Sequence, residues 1–553
     1  MAVDLPLPVL LFLLTVPESC LLRTLVTTFQ QKPITSTIPV LFAVNVLVWA
    51  FYAVFIYPFF VSPLHHLPEP KSGYPHYARS LVLSNRYPAD EYSKWMEEVP
   101  NDGLLRYRGL FNSETIIPTN TQAHADILVH KTYDFAKPEK LRAFLRRFIG
   151  DGLINIEGDE HKFQRKAIGP SFSFRCIKEL YPIFWSKSLS LMQNVAAEIE
   201  SNSESMGDGM SGVVEISHWS TKVTLDIIGL AGLGIDFNAL KNHDDPLVSL
   251  YEEILEPTTE KKFLCLLYLY FPEKLVRALP WEANHRLNLN TDRLRDACRK
   301  LMAEKVKKVK QEGDEEQKDI LSGLLRSDLF SEEMLVDQLL TFLAAGHETT
   351  STTFTWGCYL LATHPSIQTR LRDEVRTHLS AWLATGTPNA ADLPPGLADA
   401  LENLPYLNAV CSEISRLYPA VPIVTRAAVR ATTIAGHAVP PGTIINLVPW
   451  AINRSPAHWG PDAREFRPER WIDADGRANK VGGARNNYAQ LTFFHGPRSC
   501  VGQRFSMAEL RALVACFVGA FEWGLAMREE EVVPAGFVTV KPKYGLKLRI
   551  KKV

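Results

Sequence analysis

Cysteine is scarce in this chain. Eight cysteines are spread over 553 residues, and no two stand as a C-x-x-C pair. That excludes a disulfide scaffold and a zinc module. Most of Cys20, Cys176, Cys265, Cys298, Cys358, Cys411, Cys500 and Cys516 read as small buried hydrophobes in a reducing compartment. Excess charge of either sign is missing too. Sixty basic residues face sixty-one acidic ones, for a net charge of -1, so nucleic-acid binding through bulk charge has no support. Internal repeats and extended low-complexity tracts are absent. No nucleotide-phosphate loop is evident. Gly229-Leu230-Ala231-Gly232-Leu233-Gly234 has the wrong spacing for a dinucleotide fingerprint, no P-loop lysine follows, and it reads as a helix end and turn. His347-Glu348 opens a zincin-like pattern, but Ser351 stands where the second histidine is needed.

What is present is ordinary globular composition with an apolar front end. Hydrophobic residues make up 46% and charged residues 22%, which excludes a wholly disordered chain and supplies a large core. Residues 38–62 carry no charge, and Asn45 is the only strongly polar side chain before Ser62. About 20 such residues cross a bilayer core. We assign 1–62 as a membrane anchor with its span at about 38–60. Trp49, Tyr52 and Tyr57 supply interfacial contacts at its C-terminal end. The earlier run Leu5 to Val16, followed by Glu18 and Arg23, reads as a first span, an interfacial helix or part of a signal sequence. Pro68 and Pro70 then stiffen the chain and Gly73 releases it, so 63–73 reads as a Pro-rich hinge and 74–553 as the globular domain. Phe263 to Phe271 is too short to span, and reads either as core or as a patch that dips into lipid.

Helical periodicity dominates the centre. Leu294, Cys298, Leu301 and Val309 lie along one face of a helix that covers Thr291 to Val309. A longer helix begins after Ser331, its N-cap, with Glu332 and Glu333 in the favourable first turn, and Pro365 stops it. Its middle, Ala345-Gly346 and the run Thr349 to Thr353, is poor helix material and predicts a bent or widened turn. Pro405 to Leu417 is a further amphipathic helix. Strands and turns alternate from Val421 to about Leu447, and Leu546 to Ile550 alternates like a one-side-exposed strand. The fold class is therefore mainly α with small β-sheets.

The segment with the most chemistry is Phe493-Phe494-His495-Gly496-Pro497-Arg498-Ser499-Cys500-Val501-Gly502. A turn presents one cysteine directly ahead of a helix. The helix N-terminus and Arg498 both favour thiolate over thiol. Gly496 and Gly502 let a flat ligand approach the backbone. A thiolate so placed suits an iron ligand.

On this ten-residue pattern the sequence resembles the cytochrome P-450 family of haem-thiolate monooxygenases, microsomal type, and in style its filamentous-fungal members. Further signatures follow the family's order. Glu413-Ile414-Ser415-Arg416 matches its Glu-x-x-Arg motif. Phe466-Arg467-Pro468-Glu469-Arg470 matches the next element. Ala345-Gly346-His347-Glu348-Thr349 matches the oxygen-activation motif. The resemblance covers roughly residues 64 to 553 and implies the family's fold behind an N-terminal transmembrane helix.

The resemblance also implies roles. Cys500 is the axial ligand of the iron of haem b, within a loop that includes Phe493, Gly496 and Gly502. Arg498, Arg426 and Arg165 face the haem propionates. His161 stands where the family's Trp-x-x-x-Arg has tryptophan, and histidine can still donate a hydrogen bond. Thr349 holds oxygen and a water, and Glu348 relays protons. Glu413, Arg416 and Arg470 form a structural network. No flavin or nicotinamide domain is evident, so electrons come from NADPH through a separate cytochrome P-450 reductase, with cytochrome b5 as a further partner. The implied location is the endoplasmic reticulum membrane with the catalytic domain facing the cytosol.

The segments Leu343 to His347, Ala420 to Thr425 and Pro534 to Val538 line the substrate site by position in the family pattern. They are largely apolar, so the expected substrate is a lipophilic small molecule, with terpenoid or polyketide secondary metabolism as the setting. A fatty-acid or alkane hydroxylase is the alternative. A reductase-independent isomerase or dehydratase is a second alternative, against which Glu348-Thr349 argues.

Overall fold

A single long helix, Glu332–Thr363, sets the layout of the domain, and its sequence explains both its ends. The Ser331 hydroxyl accepts the N–H of Met334, and Glu332 and Glu333 sit at the positive end of the dipole. Pro365 cannot continue the ladder, and opens the next helix, Pro365–Ala384, instead. At 32 residues the first of these is about 48 Å long. It is buried on nearly every face, the pattern of a helix through the middle of a core. The computed structural model describes residues 7–26, 33–71, 87–203, 211–241, 250, 253–254, 258–312, 319–386, 389–536 and 538–553.

Of the bent or widened turn expected at Ala345 to Thr353, the widening is not there. The helix runs through it as continuous α-helix. The hydroxyls do not unwind it: four bond within their own preceding turn, and Thr350 lies 3.1 Å from Ser506 Oγ on the helix Gln503–Ala520. Thr349 donates to the Ala345 carbonyl at 2.8 Å, Ser351 to Glu348 at 3.0 Å, Thr353 to Thr349 at 2.8 Å and Thr355 to Ser351 at 2.9 Å. Gly346 has a packing reason. A Cβ there would stand 2.6 Å from Cγ1 and Cδ1 of Ile228. The glycine lets the helix Ile216–Ile227 and its π-helical continuation Ile228–Leu233 lie close against the long helix. Gly234 then ends that pair in the left-handed region, at φ 68°.

The other elements wrap this axis. Gln503–Ala520 packs against it and against Phe174–Ser203, with Phe505, Leu510, Leu513 and Phe517 buried. Trp356 stacks on Tyr418 at 4.2 Å between centroids and donates its indole N–H to Val540 O at 2.8 Å, which ties the axis to two more segments. A five-stranded sheet has the order Leu104–Arg108, Glu114–Pro118, Ile444–Leu447, Val424–Ala428, Phe135–Ala136. Only the pairing of Glu114–Pro118 with Ile444–Leu447 is parallel. A three-stranded sheet centres on Lys547–Lys552, which buries Leu548 and Ile550 and exposes Lys547, Arg549 and Lys551. The helix Pro405–Leu417 has the expected bounds. Thr259–Tyr270 is amphipathic. Leu264, Cys265 and Tyr268 are core, whereas Phe263 and Phe271 stay exposed.

At the N-terminus, Leu7–Leu25 and Ile34–Phe51 are both helical, and the second continues in π-type turns over Tyr52–Val61. Ile34–Val61 is long and apolar enough to cross a membrane. The hinge reading of 63–73 needs correction. Leu64 and Leu67 are buried in a second core cluster. Glu69 pairs with Arg106 at 3.1 Å and Arg108 at 2.7 Å, and Arg106 also donates to the Pro58 carbonyl at 3.0 Å. Residues 63–71 are thus docked on the sheet, because their apolar and acidic side chains find partners there. Ser72, Gly73 and 74–86 lie outside the described residues.

The Gly346 contact has a measurable consequence. Gly346→Ala forces a methyl group into Ile228 and is expected to cost about 1–3 kcal/mol in chemical denaturation. Ile228→Ala removes both clashing atoms, so the double variant should lose less than the sum of the single losses. Strict additivity would show that Gly346 serves something other than this packing.

Candidate active site

The cysteine loop is closed by its own backbone. Cys500 N–H donates to Phe493 O at 2.8 Å, and Phe494 and Gly496 take positive φ values of 56° and 72°. A Cβ on Gly496 would meet Leu128 O at 2.2 Å, so this glycine admits a neighbouring backbone. Gly502 caps the helix Gln503–Ala520, and a Cβ there would stand 3.9 Å from Cys500 Sγ. The sulfur reaches open space but lies deep among protein atoms, and burial pushes the thiol's pKa up. The Gly502 N–H and the charge of Arg165 pull it back. The expectation that Arg498 is the cation beside the thiol is therefore corrected. Arg498 is turned away into an ion pair with Glu157, and Arg165 occupies that place.

Around this loop lies a dense cationic cluster. Arg165 Nη2 lies 3.3 Å from Ser499 Oγ. Arg498 also sits over the Tyr133 ring, 5.0 Å from its centroid, and its Nε and Nη1 are buried with no hydrogen-bond partner among the described residues. Arg426 is buried, bonds among the described residues only its neighbour's carbonyl, Thr425 O, at 3.0 Å, and has its pKa pushed down to about 10 by burial. Lys137 is pushed down to about 7, first by burial and then by Arg426. His161 is buried, lies 3.3 Å through Nδ1 from the Tyr133 hydroxyl, and is held down to about 4 by burial and by Arg498. Glu157 is the carboxylate of this group. It accepts the Lys137 N–H at 2.9 Å, and its pKa is lowered by Lys137, Arg498 and Arg426 against the opposing effect of burial. One acid does not balance these bases.

Lys137 and Glu157 carry no motif signal. The strand Phe135–Ala136 pairs with Val424–Ala428 so that Ala136 faces Ala427, which brings Lys137 to Arg426. Glu157 stands one residue before the Gly158 to Arg165 segment. Only the folded chain brings the two together.

Glu348 and Thr349 are adjacent on the long helix but are held differently. Thr349 is bonded back to Ala345 O. Buried Glu348 accepts the Thr539 hydroxyl at 2.9 Å and Lys541 Nζ at 3.4 Å through Oε1, and its Oε2 lies 3.9 Å from His347 Nε2. Lys541 is about one-third exposed and so joins this carboxylate to water. Thr539 and Lys541 were not singled out from the sequence. Val540 N–H between them donates to Ala420 O at 2.9 Å. Residues 539–541, just past the segment 534–538, thus meet Glu348 and Ala420, and Phe537 lies outside the described residues.

Glu413 is wholly buried and accepts five hydrogen bonds. Arg416 gives two through Nε and Nη2, both at 2.8 Å. Arg470 Nε gives one at 2.9 Å, Trp471 Nε1 one at 2.8 Å and the Arg467 N–H one at 3.1 Å. Arg416 Nη1 goes on to Asn453 O at 2.7 Å. Asn453 in turn accepts the Leu491 N–H at 2.8 Å, and Thr492 Oγ1 donates to Ser415 O at 2.8 Å. Leu491 and Thr492 immediately precede the cysteine loop.

Two further buried titratable groups flank it. Burial pushes Glu509, on the helix behind the cysteine, well above the usual carboxylate range. His124 is fully buried, and burial together with His458 holds it down to about 3. A cleft of about 910 Å³ lined by Asp90, Tyr418, Trp450 and Arg454 contains none of the groups around Cys500. The titratable cluster, not this cleft, locates the site.

Comparison with known proteins places these residues in context. The family described as Cytochrome P450 matches residues 107–548. Cytochrome P450 monooxygenase sphH of Aspergillus fumigatus is 39% identical over 499 residues, 90% of this chain and 89% of its own length. Cytochrome P450 monooxygenase FSL4 of Gibberella zeae is 38% identical over 489 residues, 86% and 85% of the two chains. Cytochrome P450 monooxygenase ptmK of Penicillium ochrochloron is 35% identical over 508 residues, 92% and 97%. This family implies a haem, and the residues present fit one. A thiol with open space before it stands beside a cluster whose surplus positive charge, and whose partnerless Arg498 nitrogens, ask for carboxylates.

The neutral state of His124 makes folding acid-sensitive. Its folded pKa lies below the unfolded value of about 6.5, so as pH falls below that value only the unfolded chain takes up the proton. Stability is then lost at up to about 1.4 kcal/mol per pH unit down towards pH 3. Urea midpoints for wild type and His124→Leu between about pH 6.5 and pH 4 should show a shallower decline in the variant. Equal slopes would mean that His124 is not held neutral.

Proposed function

The chain belongs to the cytochrome P450 family, and from that premise we propose that it is a membrane-anchored haem-thiolate monooxygenase. It inserts one oxygen atom of dioxygen into a lipophilic small molecule and reduces the other to water. The observation that carries this reading is Cys500, presented on a closed loop with its sulfur in open space beside a cationic cluster short of anions. The haem supplies dioxygen activation when bound.

Cys500 would hold the iron, and the Gly502 N–H bond to its sulfur steadies the thiolate. Arg498, Arg426 and Arg165, with Lys137 and His161 beside them, would receive the propionates. Two buried nitrogens of Arg498 then gain partners and the charge surplus is met. Phe493, Gly496 and Gly502 shape the loop that holds them. Glu413, Arg416 and Arg470 fix its base.

The protons enter from the other side. Lys541 is open to water and touches Glu348 Oε1, so the carboxylate can be recharged from solvent. Thr539 donates to the same oxygen and keeps it turned towards that source. Thr349 stands next in the helix, its hydroxyl oriented by Ala345 O and its lone pairs left to accept.

The apolar character of the segments 343–347, 420–425 and 534–538 supports a lipophilic substrate. The filamentous-fungal sources of the relatives support a place in secondary metabolism, on a terpenoid or polyketide scaffold. The span Ile34–Val61 supports anchoring, in the endoplasmic reticulum with the catalytic domain facing the cytosol. Exposed Phe111 packs edge-on against Tyr270 at 5.9 Å, close to exposed Phe271 and Leu275, and this apolar face rests on the same lipid surface. An NADPH-dependent reductase supplies the electrons, with cytochrome b5 as an auxiliary donor.

Two substitutions test the chemistry. Cys500→Ala should abolish the thiolate–carbon monoxide band and all product, while the loop, closed by backbone bonds, stays folded. Retained turnover would overturn the assignment. Thr349→Ala removes only a bond back to the helix, so stability should change by less than about 0.5 kcal/mol. Coupling should fall several-fold, read as peroxide released per NADPH consumed; an unchanged ratio would remove Thr349 from oxygen handling.

A further inference from the structure

The two N-terminal helices are packed inside out. Leu7–Leu25 lies against Ile34–Phe51, and eight residues, 26–33, join them. Their contacts run antiparallel. Phe12 meets Phe42 edge-on at 6.3 Å between centroids, Asn45 Nδ2 lies 3.1 Å from Thr15 Oγ1, and Ser19 Oγ lies 3.1 Å from Thr37 Oγ1. Asn45 Nδ2 also donates to Glu18 Oε2 at 2.6 Å. The polar side chains Thr15, Ser19 and Thr37 are 0%, 0% and 2% exposed. Outward, the pair shows Phe12, Leu13, Leu14, Leu21, Leu47 and Val48, at 48–68% exposure.

A helix pair in water does the reverse, burying its leucines and wetting its threonines. Apolar side chains outside and small polar ones bonded inside is the arrangement that acyl chains impose, because a polar group facing hydrocarbon has no other partner. The second helix cannot satisfy Asn45 alone. It is the one strongly polar residue in the run, and its amide finds oxygens only on the first helix. The first helix is also long enough. Its 19 residues reach about 28 Å, against a hydrocarbon core of about 30 Å. Arg23 stands near its end, where a long cationic side chain reaches the headgroups.

We infer that residues 7–61 form a two-span hairpin in which both helices cross the bilayer, solvated by lipid acyl chains and joined to each other by Thr15, Glu18, Ser19, Thr37 and Asn45. This rests on the reading of Ile34–Val61 as a membrane anchor. It places the N-terminus on the same side as the catalytic domain, with the link 26–33 on the opposite side. A single span with the first helix lying flat would place the N-terminus opposite the catalytic domain.

The test uses the full chain in microsomes. Alkaline carbonate extraction comes first; release of the protein would overturn the anchor reading itself. Glycosylation acceptors are then placed in a long N-terminal extension, in a lengthened 26–33 link and in a C-terminal extension. Only the link acceptor should be modified. A modified N-terminal acceptor, or an unmodified link, would overturn the hairpin while leaving membrane attachment intact. Pairing is read separately with Ser19→Cys and Thr37→Cys in a Cys20→Ser background. Oxidation in the membrane should hold the two halves together after cleavage at a protease site inserted in the link, and Asn45→Leu should lower the yield. Halves that separate fully would show that the helices do not pair.

Discussion

The buried carboxylate of Glu413 is the interaction on which the rest of the site depends. An unpaired charge at zero exposure would be strongly destabilising, and the chain answers with Arg416, Arg470, Trp471 and a backbone N–H. Removing one member would leave the others buried and unpaired, so the group acts as a unit. Its reach matters more than its local energy. Arg416 grips the carbonyls of Asn453 and Ala463, and Asn453 holds Leu491. The loop that presents Cys500 therefore hangs from a dry ionic knot rather than from its own few turns. A surface pair of the same two residues would contribute little; burial is what turns it into a fixed point.

The opposite condition holds on the rim of the site. There positive charge is gathered without enough negative charge to balance it. The depressed pKa values of Lys137, Arg426 and His161 are the physical record of that imbalance, since burial and like charge both oppose protonation. A protein keeps such a cluster only if something anionic relieves it. On the proposed reading, two carboxylates at the edge of a flat cofactor would do so, and each contact would gain a charge-assisted hydrogen bond. The knot at Glu413 is complete within the chain, whereas the cluster at Arg498 is complete only with a ligand. That contrast separates the part of the site that is scaffold from the part that binds.

Much of this was legible in the sequence, and the failures have a pattern. Helix ends with strong local signals were readable. Ser331 with Glu332 and Glu333, Pro365, and the bounds Pro405 to Leu417 all fall where capping and periodicity place them. What local reasoning could not see was which neighbour would satisfy a group. The threonine run predicts a widened turn because hydroxyls compete for carbonyls, but in this largely buried helix Thr349 and Thr353 bond back within it and Thr350 meets Ser506 on a neighbouring helix. Leu64, Leu67 and Glu69 read as linker residues until the sheet supplies a core and two arginines. Arg498 lies two residues from Cys500 in sequence, yet Arg165, from a distant helix, faces the sulfur. Lys137, Glu157, Thr539 and Lys541 had no motif at all, because their meaning lies in partners that only the fold brings beside them.

The docked stretch 63–71 changes how the front end must be understood. Arg106 bonds the Pro58 carbonyl, Asn112 bonds the Val54 carbonyl, and Arg108 lies over the Phe59 ring at 4.1 Å. The last turns of the anchor are thereby part of the domain's own hydrogen-bond network. A flexible tether would leave the domain free to turn about the end of this helix; these contacts join the two instead. Phe60, Phe111 and Phe271 then come to lie on the anchor's side of the molecule, where exposed aromatic rings are a liability in water and an asset at a lipid interface. Orientation and substrate supply become one constraint. On the proposed anchoring, a lipophilic molecule dissolved in the bilayer would meet a domain held with its apolar face down, and the same contacts that set that posture also anchor the first strand of the sheet that carries Arg426.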